Sequence, residues 1–380
     1  MKTRADSEQF EREHLAPYAA KAADSRGRAY PAPEHPLRTA FQRDRDRVIH
    51  SAAFRRMEYK TQVFIPHEGD HFRTRLTHTL EVSQISRTMT RALGLNEDLS
   101  EAIALVHDLG HTPFGHAGED VLNVLLASAG GFNHNRQSLR VVDLIEQRYP
   151  EHPGLNLSFE VREGIAKHET KGAIVGEEFS PHLLPTLEAS LVDMADEIAY
   201  NAHDIDDGIR AGLITLDSLR PLSIWNESDA ELFTAHGVLG NLAEDQKRHL
   251  LVRRLVDRVV TDVVAFSEAN LRRWDISCLD DVRKTKERIC AYSPSMTPKI
   301  TELKGFLRQN MYRHPQLTAL TERAKLIITG LYNRIGANHE LLPPRYREML
   351  LTERPEIVVA DYIAGMTDRY AERLWEQGGE

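Results

Sequence analysis

The sequence predicts an all-α fold, a helical core followed by an additional C-terminal helical region. Apolar residues recur at spacings of three and four along most of the chain, and alternating strand patterns are almost absent. The segments between the periodic stretches are rich in Gly, Pro and His.

Residues 1–37 are polar, and three prolines within positions 31–36 break any helix there. This stretch reads as an arm laid over the surface or partly disordered. Residues 38–56 read as a charged helix. Between 76 and 93, Val82, Ile85, Met89 and Leu93 define an apolar face. A helix over 97–109 is stopped by Gly110, and another over 136–149 carries Leu139, Val142, Ile145 and Tyr149. Over 186–210 the stripe Leu187, Leu191, Met194, Ile198, Ala202, Ile205 and Ile209 is continuous. Helical patterns return at 241–273, 299–311, 317–334, 345–353 and 357–376. The predicted organisation is an arm (1–37), a core (38–215) and a C-terminal helical region (216–380).

Composition narrows the function classes. The 380 residues are 41% hydrophobic and 28% charged, as in soluble globular proteins. A net charge of −9 argues against a surface built wholly as a nucleic-acid platform. Two cysteines, Cys278 and Cys290, cannot make a disulfide framework or a cysteine metal site. No apolar run is long enough for a bilayer, and the N-terminus has no apolar signal region. The expectation is a soluble cytoplasmic protein with no membrane partner.

Eighteen histidines are present, and seven fall between 67 and 134: His67, His71, His78, His107, His111, His116 and His134. Within them, His107-Asp108 can grip one ion only from its flank, because adjacent helical side chains point about 100° apart. His78 shares a helical face with Val82, Ile85 and Met89, so it points inward and can add a third ligand. Asp108 near a helix C-terminus is unfavourable unless a cation is close. Asp196, Tyr200 and Asp204 lie at i, i+4 and i+8, on one face of the 186–210 helix, and this face can offer a fourth ligand. In HDLGHTPFGHAGE (107–119), Gly and Pro fold the chain back, so His111, His116 and Glu119 suit acid–base or supporting work. Six arginines in 38–56, with Arg73 and Arg75, point to a small polyphosphate substrate.

The pattern His78, His107-Asp108, Asp196 resembles the H…HD…D signature of the HD phosphohydrolase superfamily. HDLGHTPFGHAGE resembles the extended motif of its deoxyguanosine triphosphate triphosphohydrolase branch. So do FQRDRDRVIHSAAFRRMEYKTQVF (41–64), FNHNRQSLR (132–140), DMADEIAYNAHDIDDG (193–208) and DYIAGMTDRYA (361–371), and the likeness spans residues 38–371. The resemblance implies an HD-type core with its motif region at about 73–204. It implies one divalent ion (Mn, Mg, Fe, Ni or Zn) on His78, His107, Asp108 and Asp196. His116 and Glu119 match the catalytic pair, and His111 and His134 match histidines along the triphosphate. Arg75 matches a nucleotide contact, Gln62 and Asp204 match readers of the sugar 3′-hydroxyl, and Tyr200 matches the tyrosine against the sugar 2′ position. Glu197 departs from the pattern, because the human relative has a lysine there.

The implied activity is metal-assisted hydrolysis of deoxynucleoside triphosphates at the α-phosphorus, giving deoxynucleoside and tripolyphosphate. Another HD-family enzyme, a 5′-nucleotidase or phosphodiesterase, would share the four ligands but not the HTPFGHAGE extension. A nucleotide-binding or single-stranded nucleic-acid role through the Arg-rich segment is the second alternative. The resemblance, with apolar Leu251, Leu255, Val259 and Val263, also implies a homo-oligomer, a hexamer or tetramer.

Overall fold

The computed structural model describes residues 1–62, 72–168, 176–236 and 242–378. Among these are eighteen α-helices and no strand beyond isolated bridges, in agreement with the predicted all-α class. His67 and His71 of the histidine cluster lie outside the described residues.

The arm is folded onto the surface. Helix α1 (Arg4–His14) starts at Thr3, whose hydroxyl accepts the Asp6 amide while the Asp6 carboxylate accepts the Thr3 amide. Glu11 accepts the Ala22 amide at 2.7 Å, and Glu188 accepts those of Ala20 and Asn96 at 3.0 Å each. These buried carboxylates seat the arm on the core.

Helices α2 (Ala40–Ile49) and α3 (Ala52–Arg56) replace the single charged helix. The arginines of 38–56 are engaged within the chain rather than offered to a phosphate, so the small-polyphosphate reading does not rest on them. Arg38 pairs with Asp46, Arg45 with Asp98 and Glu101, and Arg56 with Glu146. Arg43, Arg47 and Arg55 donate to backbone carbonyls.

Helix α4 (Arg75–Ala92) is capped by Thr74 and ends at Gly94, φ +67°. There the Gly94 and Leu95 amides return to Arg91 and Thr90, closing a Schellman turn that needs the glycine's left-handed backbone. Asn96 then caps α5 (Glu97–Val106), which stops short of 109 with His107 as its C-cap. Helices α6 (His116–Leu125), α7 (His134–Arg140) and α8 (Phe159–Lys167) follow. The expected helix to 149 is also shorter. After Arg140 the backbone widens into a π turn over Val141–Ile145, then leaves at Glu146, whose carboxylate accepts the Ala52 and Ala53 amides.

Helix α9 (Leu187–Arg210) is the axis of the molecule and packs on α4 and α5. Its Leu187, Leu191, Met194, Ile198, Ala202 and Ile205 are buried, the five larger side chains each worth roughly 1.5–3 kcal/mol before entropy is counted. Short α10 (Leu216–Leu219) leads to α11 (Ser223–His236) and α12 (Glu244–Arg273), and α12 packs on α9. On α12, Leu251, Leu255, Val259 and Val263 are buried inside the chain, so they cannot form the association face expected of them. Helices α13 (Leu279–Lys284), α14 (Thr297–Leu307), α15 (Pro315–Ala337) and α16 (Pro344–Met349) complete the wall, with α15 lying across α6. The expected 357–376 helix is two helices, α17 (Pro355–Ala364) and α18 (Asp368–Glu376). The break falls at Gly365, and the Thr367 hydroxyl starts the second helix by accepting the Tyr370 amide.

Burial raises the Glu188 carboxyl to about 7. The unfolded chain titrates it near ~4.3, so the folded state holds a proton that the unfolded state releases between these values. Stability contributed by this neutral carboxyl is lost as pH rises through that window. Glu188→Gln stays neutral and keeps a carbonyl acceptor. Its Tm should exceed the parent's at pH 8 by about 2 °C or more and approach it at pH 5. Equal Tm differences at both pH values would contradict the assignment.

Candidate active site

Three helices meet around two carboxylates, the buried Asp108 and the half-buried Asp196. Asp108 follows α5, Asp196 lies at the middle of α9, and His78 stands one turn into α4. His78 Nε2 is 2.8 Å from Asp196 Oδ1 and 3.9 Å from Asp108 Oδ2. His107 Nε2 is 3.4 Å from Asp108 and 3.7 Å from Asp196. The four residues expected to bind metal are therefore brought together.

The chemistry of this donor set fits a cation. His107 Nδ1 donates to the Ala104 carbonyl at 2.6 Å, which fixes its tautomer. Its Nε2 is buried, has no hydrogen-bond partner, and faces both carboxylates. Burial disfavours the ionised form of each carboxylate, but the surrounding cations and imidazoles reverse it. Asp108 is held well below the usual carboxylate range by His107, Arg75 and His111, and Asp196 by His107, His168 and His78. Part of the Asp108 charge is already met by Arg75, whose guanidinium donates to it at 2.8 Å. That pair answers the expected helix-terminus penalty without an ion.

His168, at the C-cap of α8, joins this cluster and was not anticipated. Its Nδ1 meets Asp193 at 2.6 Å and its Nε2 lies 3.5 Å from Asp196 Oδ2. His107, His168 and Asp196 converge as closely as His78, His107 and Asp108 do. Behind His78, the Nδ1 atoms of His78 and His203 are 3.2 Å apart, and His203 contacts Glu81.

A second cluster sits on the turn that follows. Phe114 and Gly115 both have positive φ, +60° and +58°, and Gly115 opens α6. For Phe114 this backbone is strained. The turn places Glu119 between two imidazoles, 3.3 Å from His116 Nδ1 and 2.9 Å from His134 Nδ1. Burial raises the Glu119 carboxyl, but His116 and His134 outweigh it and keep it ionised. His111 stacks on His134, with ring centroids 4.0 Å apart, and reaches Asp108 at 3.2 Å. The backbones crowd here. A Cβ on Gly110 would lie 2.1 Å from the Ser138 nitrogen, and one on Gly118 would lie 2.2 Å from the Pro113 oxygen.

Both clusters open into one cavity of about 220 Å³, lined also by Gln62, Arg75, Tyr200, Glu197 and Lys304. Lys304, from α14, pairs with Glu197 at 3.1 Å and was missed from sequence. It supplies a cation where Glu197 departs from the expected lysine. Gln62, His116 and Tyr200 also border a second cavity of about 260 Å³ walled by Phe114, Tyr312 and Leu317. Asp204 lines neither; it is buried under Tyr312, whose hydroxyl donates to it. Burial raises the Asp204 carboxyl to about 8. Arg73 is not available to phosphate, being committed to Glu81, Asp206 and Asp207.

The comparisons with known proteins accord with this geometry. Residues 75–201 match the HD domain and residues 290–377 a phosphohydrolase-associated domain. The chain is 48% identical to a deoxyguanosinetriphosphate triphosphohydrolase-like protein of Geobacter sulfurreducens, over 97% of this chain and 96% of that one. The protein of the same description from Azoarcus sp. is 50% identical over 94% of both chains. That from Thiobacillus denitrificans is 51% identical over 94% of this chain and 96% of its own. The chain therefore belongs to the HD-domain family of deoxyguanosinetriphosphate triphosphohydrolase-like proteins.

Proposed function

We propose that this protein hydrolyses deoxynucleoside triphosphates, dGTP among them, at the α-phosphorus, releasing deoxynucleoside and intact tripolyphosphate. The observation that carries the reading is the unpartnered His107 Nε2 facing Asp108 and Asp196, beside a cavity that those two carboxylates line together with His116 and His134. His78, His107, Asp108 and Asp196 would hold one divalent ion, and mixed imidazole and carboxylate donors suit Mn, Fe, Ni or Zn better than Mg. Such an ion supplies Lewis-acid polarisation of a phosphoryl oxygen.

The remaining work falls to the side chains. Glu119, kept ionised, is a weak base, so its task is to orient His116 and His134. Those imidazoles take a proton from the attacking water and pass one to the departing sugar 5′-oxygen. His111 holds His134 in place by stacking. Arg75 and Lys304 line the same cavity and supply cations for the phosphates. Tyr200 packs against the deoxyribose, leaving no room for a 2′-hydroxyl. The buried, unpartnered Gln62 Oε1 can accept from the 3′-hydroxyl, and Asp204 acts on the same sugar through Tyr312. A single-stranded nucleic-acid role gains nothing from the arginines of 38–56, which are held by local carboxylates and carbonyls. The paired reading of cytoplasmic location rests on two unpaired thiols, Cys278 and Cys290.

Incubation with each dNTP and NTP, with Mg²⁺ or Mn²⁺, should yield tripolyphosphate from dNTPs. Diphosphate or monophosphate as the first product would overturn the reaction assigned. Asp196→Ala should lose its metal on elemental analysis. Glu119→Gln should keep its metal and bind nucleotide while turnover falls by about 10² or more. Metal retained in the first, or near wild-type turnover in the second, would remove that residue from its role. For assembly, a hexamer or tetramer rests on the family resemblance. Light scattering that shows a monomer at micromolar concentration, with and without dNTP, ends that idea.

A further inference from the structure

The segment DYIAGMTDRYA (361–371) contributes no side chain to the cavity, yet it holds two carboxylates that are almost completely buried, Asp361 and Asp368. Asp361, on α17, accepts Gln137 Nε2 at 2.9 Å and the Arg140 guanidinium through both oxygens, at 3.1 and 2.6 Å. Gln137 and Arg140 belong to α7, the helix that begins with His134. Asp368, at the start of α18, accepts the Phe114 amide at 2.9 Å through one oxygen. Its other oxygen accepts the Thr61 amide at 2.8 Å and the Thr61 hydroxyl. Phe114 is the strained residue of the turn that carries His111 on one side and His116 on the other.

Lys60 closes the arrangement. Its buried ammonium donates to the His111 carbonyl and, at 2.8 Å, to the Ala364 carbonyl at the end of α17. The break at Gly365 makes this possible. In one continuous helix, positions seven apart would share a face about 10.5 Å apart along the axis. With the break, one carboxylate takes α7 and the other takes the 111–116 turn.

We infer that Asp361 and Asp368 are positioning residues: as two jaws of one clamp, they set the separation between His134 and the turn bearing His111 and His116. The C-terminal helices thereby complete the Glu119 cluster without touching substrate or metal ligands. Asp368 is the partner of the Phe114 amide, and the left-handed backbone of Phe114 favours release once that bond is lost. A displacement of about 1 Å at such a group costs on the order of 10²-fold in rate.

This inference rests on the role proposed for Glu119, and the test separates the two. Asp368→Asn keeps one acceptor oxygen and loses the other. In metal-free protein, amide hydrogen exchange in the 109–118 segment should accelerate at least about 10-fold, with bulk exchange unchanged. With metal bound, kcat for dNTP hydrolysis should fall about 10–100-fold while KM and metal content stay within about twofold. In the Glu119→Gln background the same substitution should cost less than about twofold, because the cluster it positions is already disabled. An equal loss in both backgrounds, or wild-type kcat despite faster exchange, overturns the clamp. If Asp368→Asn does not fold, the half-exposed Arg140→Gln releases the other jaw and is read the same way, with exchange followed over 134–140. Near wild-type turnover in Glu119→Gln alone would sink that residue's role, and the clamp would stand or fall on exchange and kcat of Asp368→Asn.

Discussion

Two carboxylates, the buried Asp108 and the largely enclosed Asp196, both face the imidazoles of His78 and His107, and the surrounding structure is arranged to let them remain ionised. An uncompensated charge at that depth costs several kcal/mol. Arg75 opens α4, His78 follows one turn later, His107 precedes Asp108, and His168 arrives from α8. Because the compensating groups come from α4, α5 and α8 and meet Asp196 on α9, these helices cannot slip past one another without stranding a charge. The apolar stripe of α9 stabilises the core without specifying register. The ionic contacts fix it.

One helix also holds acids in opposite protonation states. Asp196 and Asp204 stand eight residues apart on one face of α9, yet the first is ionised and the second titrates near about 8. Imidazoles surround Asp196, while the burial of Asp204, helped by the acidic Asp207, outweighs the Tyr312 and Tyr200 hydroxyls that favour its charge. Environment, not residue type, divides the labour between a donor set for a cation and a neutral acid that can both give and take a hydrogen bond.

Much of this was legible in the sequence, and the gaps have physical causes. Helical periodicity located α4, α5, α9 and α12, because each buries one face. The local cluster His107–Glu119 was readable because its members are near one another in the chain. His168 was not, since its partner Asp193 lies on a separate helix and a lone histidine after a helix carries no signal. Asp193, one turn before Asp196 on the same face, was the available hint. Lys304 was hidden in the same way, although Glu197 beside a buried carboxylate implied a nearby cation. The arginines of 38–56 misled because some of their partners, such as Asp98 and Glu101, lie more than fifty residues away. The break between α17 and α18 was invisible to periodicity, because apolar residues continue on both sides of a single capping threonine. The roles of Gln62, Tyr200 and Asp204 came from family resemblance alone, and burial then placed Asp204 behind Tyr312.

The close backbone approaches at Gly110 and Gly118 bear on how this protein can vary. Neither glycine offers a group to substrate, ion or proton, and neither lies in an apolar core whose repacking could absorb a methyl. Each instead touches main chain of the segment that carries His134, or of its own turn, where a side chain has nowhere to go. In a saturation mutagenesis screen scored by activity, these two positions would rank beside the histidines. A reader of such a map could mistake them for chemistry. They mark where the architecture has no slack, so natural divergence in this region must run through side chains facing the cavity rather than through its backbone.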